Sequence, residues 1–140
     1  LKSDAEALVN AVNTVGVMGK GIALQFKNQY PENYKVYKAA CNKGELNVGT
    51  ILIIKDGDLF NKKFIVNFPT KQHWKAPSEI SYIHDGLVAL QKAIKEYDIQ
   101  SIAIPPLGCG LGGLDWDVVK PIIIEALQDL DVNISIYEPG

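Results

Sequence analysis

The sequence predicts an α/β domain in which a mostly parallel sheet is covered by helices on both faces. Three observations carry that prediction. Short apolar runs rich in β-branched residues alternate with longer stretches whose apolar residues recur at steps of three and four. Strands separated by helices in this way form parallel sheets buried on both sides. Two of the strand-to-helix connections are also rich in glycine, which lets a backbone come close to a ligand.

Taken in order, "EALVNAVN" (6–13) is a first strand ending in the polar Asn10 and Asn13. "VGVMGKG" (15–21) holds three glycines in seven residues and reads as a loop. Ile22, Ala23, Phe26 and Tyr30 then follow helical spacing. Pro31 opens a second helix, with Tyr34, Tyr37 and Cys41 on one face and Gly44 as its stop. "TILII" (50–54) is the second strand. The third, 64–68, is expected to end near Phe68, because Pro69 has no N–H to give a ladder. Ser78 reads as the N-cap of the next helix, with Glu79 in its first turn. Ile80, Ile83, Leu87, Leu90, Ile94 and Tyr97 form that helix's apolar face. "SIAIP" (101–105) is the fourth strand and "PLGCGLGGLDW" (106–116) the second glycine-rich loop. Residues 118–127 are helical, with Pro121 expected to delay the regular helix. "NISIY" (133–137) is the last strand.

At 140 residues, 47% hydrophobic and 21% charged, the chain has the size and composition of one ordinary globular domain. A net charge of −2 argues against a broad basic surface for duplex DNA, though not against a local positive cleft. Cys41 and Cys109 form no CxxC pair, which points to a reduced, cytoplasmic setting with no disulfide or zinc site. No apolar run approaches the roughly 20 residues of a membrane span, and the opening residues do not read as a signal peptide.

In parallel sheets ligands bind beyond the C-terminal strand ends. The loops after residues 13, 68 and 105 share that edge, and they hold the most unusual chemistry in the chain. Paired glycine loops leading into helices suit a diphosphate. "GVMGKGIA" fits GxGxxG only loosely and lacks the GK[ST] of a P-loop, which disfavours an ATPase. Neither loop has the acidic partner of a dinucleotide oxidoreductase. Asn13 either caps its own turn or holds a ribose hydroxyl. Lys71 is either a solvated charge or an amine held against a ligand. Cys109 reads as a packed small residue, and His84 as structural.

"ALVNAVNTVGVMGKGIALQFKNQYP", "VNFPTKQHW" and "PPLGCGLGGLDW" together resemble the macrodomain family, which binds ADP-ribose, from about residue 5 to the chain's end. The "NFPTKxHW" stretch is most similar to the DarG branch, antitoxins that remove ADP-ribose from DNA. The resemblance implies a three-layer α/β/α sandwich with a mixed, mostly parallel sheet. It implies Lys71 and Asn13 as catalytic residues, with Asn13 orienting the distal ribose on the strand end Ala11-Val12-Asn13. Gly21, Ile22 and Ala23 would border the diphosphate from one side, and Gly108, Cys109, Gly110, Leu111 and Gly112 from the other. Thr70 would line the cleft, and Tyr137 would stack on adenine. His73 and Trp74, just beyond the lysine, are candidates to hold the base.

The activity so implied is hydrolysis of an ADP-ribosyl bond to a base, thymidine, in single-stranded DNA, without metal or redox cofactor. The partner implied is a DarT-type toxin that uses NAD to make that modification. An amine attacks only when deprotonated, and the anomeric carbon gains oxocarbenium character as its bond breaks. Capture of that carbon by Lys71 and protonation or positioning of the departing base both stay open. Two other readings share the fold: a non-catalytic ADP-ribose reader, and a hydrolase of protein ADP-ribosyl esters. The family's usual first strand and its adenine-reading residue would precede Leu1, so a segment before the abrupt "LKSDAEALVN" is expected. Gly112 stands where some lysine-dependent relatives carry an aspartate, so no catalytic carboxylate is assigned.

Overall fold

The computed structural model describes residues 4–19, 21–57 and 62–139. The elements run β1 (Ala7–Asn13), α1 (Gly21–Gln29), α2 (Pro31–Asn42), β2 (Leu52–Lys55), β3 (Phe64–Lys71), α3 (Ile80–Glu96), β4 (Ser101–Ile104), α4 (Trp116–Leu127) and β5 (Asn133–Ile136). One sheet takes the order β2-β3-β1-β4-β5. β1 is parallel to β3 and β4, and β4 to β5; only β2 is antiparallel, against β3. This is the expected mixed sheet, and the four parallel strands end on one edge. Among the described residues no helix is long and apolar enough to cross a membrane.

Alternation along the strands explains the two helical layers. Phe64, Val66 and Phe68 pack with Ile83, Leu87 and Val119 on the α3/α4 side. Ile65 packs with Phe26 and Tyr30 on the α1/α2 side. A third cluster, Val12, Met18, Tyr37, Ala40 and Leu46, lies under the first glycine loop. On the α1/α2 side the fully buried Asn67 and Asn33 exchange amide hydrogen bonds of 2.8 and 3.1 Å. Asn67 Nδ2 also reaches the Leu52 carbonyl at 3.2 Å. In α3, Gly86 leaves room for the Phe68 ring: a Cβ there would come 2.3 Å from Phe68 Cζ.

The stop of α2 is as expected. Gly44 has φ +68°, its amide reaches the Cys41 carbonyl, and the Glu45 amide reaches Ala40, a Schellman closure.

Three expectations are corrected. β3 does not stop at Phe68 but runs to Lys71. The Phe64 amide bonds to Glu6 on the β1 side, so odd-numbered β3 residues direct their amides toward β2. The last β2 pair is Leu52 with Asn67, so Pro69 lies beyond any partner that would miss its N–H. Ser78 is not the cap of α3. Its amide is taken by the Gly112 carbonyl at 2.9 Å and its side chain is packed away, so Glu79 becomes the N-cap. Finally, α4 starts at Trp116, ahead of Pro121. The Asp115 side chain accepts from the Asp117 amide and its carbonyl accepts from Val118 and Val119, so the cap sets the start despite the proline.

Candidate active site

β1 sits at the centre of the parallel strands, and its last residue, Asn13, is the direct cross-strand partner of Lys71. The pairing is irregular. Val12 opposes Pro69 and Asn13 opposes Lys71, so Thr70 is an extra residue, a bulge. Without it Lys71 would share the face of Ile65 and Asn67, toward α1 and α2. Instead, Lys71 Cε lies 4.0 Å from the point where a Cβ on Gly112 would stand. The bulge re-aims the lysine toward the second glycine loop. Beyond it, the Thr14 amide and hydroxyl both donate to the Gln72 carbonyl, at 3.1 and 2.9 Å, and hold the two strand ends together. Lys71 is half-buried, and its Nζ donates to the Trp74 carbonyl at 3.2 Å. Thr70 is buried beside it.

The side chain of Asn13 is turned into its own loop. Its Oδ1 accepts from the amides of Val15, Gly16 and Val17 at 3.1, 3.1 and 3.3 Å, and its Nδ2 donates to the Val17 carbonyl at 2.8 Å. The Tyr37 hydroxyl adds a bond of 2.9 Å to Oδ1. This is the turn-capping role that the sequence left open. The amides of residues 15–17 are spent on Asn13, whereas the N–H groups of the first turn of α1 (Gly21, Ile22, Ala23) have no carbonyl partner within their own helix. Ile22 is exposed and Ala23 half-buried; Lys20 lies outside the described residues. Ala11 and Val12 belong to core clusters, so only their backbones face the edge.

The second loop has a left-handed backbone at Gly108, Gly110 and Gly113 (φ +74°, +70° and +83°). Its turn bonds use the amides of Cys109, Gly113 and Leu114, and those of Gly110 and Leu111 take no part in them. At Gly112 a Cβ would come 2.5 Å from Ser78 Oγ and 3.2 Å from Ser78 Cβ, so a larger residue there would require Ser78 to shift. That hydroxyl is buried with no hydrogen-bond partner. Leu111 is 80% exposed at the tip. Burial, and then the nearby Asp115, push the Cys109 thiol up, so it stays protonated and is a poor nucleophile.

At Gly110 a Cβ would meet nothing within 4 Å, so the space outside this loop is open. In the reading of this edge as an ADP-ribose site, Gly110→Val, which also strains a backbone at φ +70°, should weaken ADP-ribose binding by about tenfold or more, each factor of ten being about 1.4 kcal/mol. Calorimetry on folded mutant checks this, and unchanged affinity would leave the loop as a mere turn.

His73, Trp74 and Lys75 project from the site. Trp74 is 45% exposed, so it does not roof the core. His73 stacks on it with centroids 5.3 Å apart, and Lys75 Nζ lies 4.8 Å from the ring centroid. The His73 ring is held by the Lys75 amide, 3.1 Å from Nδ1. Tyr137 follows β5 at the same edge, half exposed, its amide bonded to Ile104. His84 is exposed on α3, away from the loops. Sequence reasoning missed two residues. Tyr37 was read only as a helix face and Ser78 only as a cap, since no local signal marks a partner 24 or 34 positions away.

Comparison with known proteins identifies the fold. The Macro domain family profile matches residues 9–123. The chain is 53% identical to a Mycobacterium tuberculosis DNA ADP-ribosyl glycohydrolase, over 100% of this chain and 40% of that protein. It therefore spans about two-fifths of the length of such curated relatives. The macrodomain of Mycobacterium tuberculosis DarG superposes with a TM-score of 0.96 at 52% identity, covering 100% of this chain and 93% of the other. Thermosipho africanus DarTG in complex with ADP-ribose gives 0.91 at 41% identity, covering 98% and 39%. On its profile, its sequence and its fold, the chain belongs to the macrodomain family.

Proposed function

We propose that this domain is an ADP-ribosyl glycohydrolase that removes ADP-ribose from thymidine in single-stranded DNA and so reverses a DarT-type toxin in the cytoplasm. The observation that carries the reading is the bulge that turns Lys71 away from the α1/α2 face and against the glycine loop at Gly112. A domain that only held ADP-ribose would need phosphate loops but no re-aimed amine at their junction. The names of the relatives, a DNA ADP-ribosyl glycohydrolase among them, support the same chemistry.

In this reading the diphosphate lies between the first turn of α1 and the amides of Gly110 and Leu111. Gly108, Cys109 and Gly112 shape that wall and Thr70 closes the cleft beside Lys71. Asn13 sets its loop and offers its second amide hydrogen to a ribose hydroxyl. Tyr137 takes the adenine. The bond between the anomeric carbon and the base nitrogen breaks, and the base leaves with a proton. Lys71 Nζ either takes the anomeric carbon, passing its own proton to the base and later being displaced by water, or supplies that proton while water adds to the anomeric carbon. Mass spectrometry of products from defined ADP-ribosylated oligonucleotide and protein substrates tests the proposal. Release of ADP-ribose from protein alone, or from neither, would overturn it.

Trp74 is assigned to the base, because its ring is exposed and its carbonyl already holds the lysine amine. Stacking of a base on an aromatic ring is worth about 1–3 kcal/mol, so Trp74→Ala should slow turnover of modified DNA by roughly 5- to 150-fold. Affinity for free ADP-ribose and the melting temperature should hardly move. A parallel fall in all three would mean that the ring only packs.

A further inference from the structure

We propose that Tyr37, a residue of α2 remote from any loop motif, is a positioning residue that sets the first glycine loop through Asn13. The inference rests on reading this sheet edge as the ADP-ribose site. Tyr37 is 0% exposed, and its hydroxyl lies 2.8 Å from the Asn13 carbonyl and 2.9 Å from Asn13 Oδ1. One phenolic proton is thus shared between the main chain at the end of β1 and the side chain that gathers three successive loop amides. Burial pushes the phenol far above its ordinary range, so the proton is present at every physiological pH.

The amide of Asn13 can rotate about its side-chain bonds, and oxygen and nitrogen are alike in size. The loop opposes a flip, which would turn Nδ2 toward the amides of residues 15–17, donor against donor, and Oδ1 toward the Val17 carbonyl. The buried Tyr37 hydroxyl adds an anchor from α2, outside the loop, to the orientation that the loop contacts set. Because the carbonyl of the same residue shares that proton, the loop is fixed relative to the strand that pairs with Lys71. Tyr37 itself sits behind the loop, fully buried in the cluster with Val12 and Met18.

Tyr37→Phe removes one oxygen and leaves the ring in place. In the ligand-free protein it should speed hydrogen exchange selectively at Val15, Gly16 and Val17, by about tenfold, as the local opening becomes easier. Unchanged exchange at these amides overturns the proposal. The same variant should weaken free ADP-ribose by about tenfold, the scale of one buried hydrogen bond. The Asn13→Ala/Tyr37→Phe double variant should then lose less affinity than the sum of the two single losses, since only the bond to the Asn13 main-chain carbonyl is left for Tyr37→Phe to remove. Additive losses, or an affinity unchanged by Tyr37→Phe, would show a tyrosine that only fills the core. Because these readouts use free protein and free ADP-ribose, a wild type that binds ADP-ribose but leaves modified DNA intact would sink the glycohydrolase reading without touching this one.

Discussion

Lys71→Ala should reduce turnover of ADP-ribosylated oligonucleotide by roughly 10²–10⁴-fold, the range for loss of a positioned proton donor or acceptor. Affinity for free ADP-ribose should stay near that of wild type. The expectation follows from where the side chain sits. Lys71 is half-buried, and its amine donates to the exposed loop carbonyl of Trp74, so truncation strands no buried partner and the fold should hold. In the proposed site the phosphates are held by backbone amides of other segments, which the change leaves in place. A residue acting only in the transition state lowers kcat without changing ground-state binding. Lys71→Arg sharpens the test, since it keeps the charge but offers no amine of the same reach or basicity. Single-turnover rates and calorimetry on the three proteins decide the matter. Turnover by either variant near the wild-type rate would remove Lys71 from the chemistry.

The second large effect concerns stability, and it runs against helix propensity. Replacing a mid-helix glycine by alanine normally stabilises by about 1 kcal/mol. Gly86→Ala should instead lower the melting temperature, by roughly 5–10 °C, because the new methyl would sit 2.3 Å from Phe68 Cζ. The Phe68 ring is fully buried between β3 and α3 and has nowhere to retreat. It lies two residues before the bulge at Thr70, so displacement should also disturb the lysine and slow turnover. Adding Phe68→Leu should recover part of the loss, and that recovery separates a clash from a general weakness of α3. A Gly86→Ala protein as stable as wild type would show that the ring can move after all.

The architecture was legible because periodicity and glycine spacing are local signals. The segments from Ala7 to Asn13 and from Ile80 to Glu96 lie where a short apolar run and the three-four step put them. The end of β3 was not legible. The rule against proline in a ladder treats both sides of a strand alike, whereas Pro69 faces the side on which β2 has already ended. Ser78 carried a sound local signal for a cap and was overridden by a contact with Gly112, far along the chain. Asn13 was recognisable as a strand end and Lys71 as a residue just past one. Their adjacency, however, depends on β1 and β3 being neighbours, which no local pattern encodes. Tyr37 looked like any buried aromatic, and only its hydroxyl distinguishes it.

The amide pair between Asn33 and Asn67 has a consequence for how the chain finds its structure at all. β3 is buried along both faces from Phe64 to Thr70, so hydrophobicity alone says little about which residue should oppose which. A slip by one position would cost almost nothing in apolar burial, yet it would rotate Asn67 into the cluster around Ile83 and Leu87. Each amide would then be buried without a partner, at about 1–3 kcal/mol apiece. A slip by two keeps the facing but carries Asn67 out of reach of Asn33. The pair therefore acts as a ruler against misalignment. Lys71 lies four residues further along the same strand, so the accuracy of that ruler decides where the amine arrives.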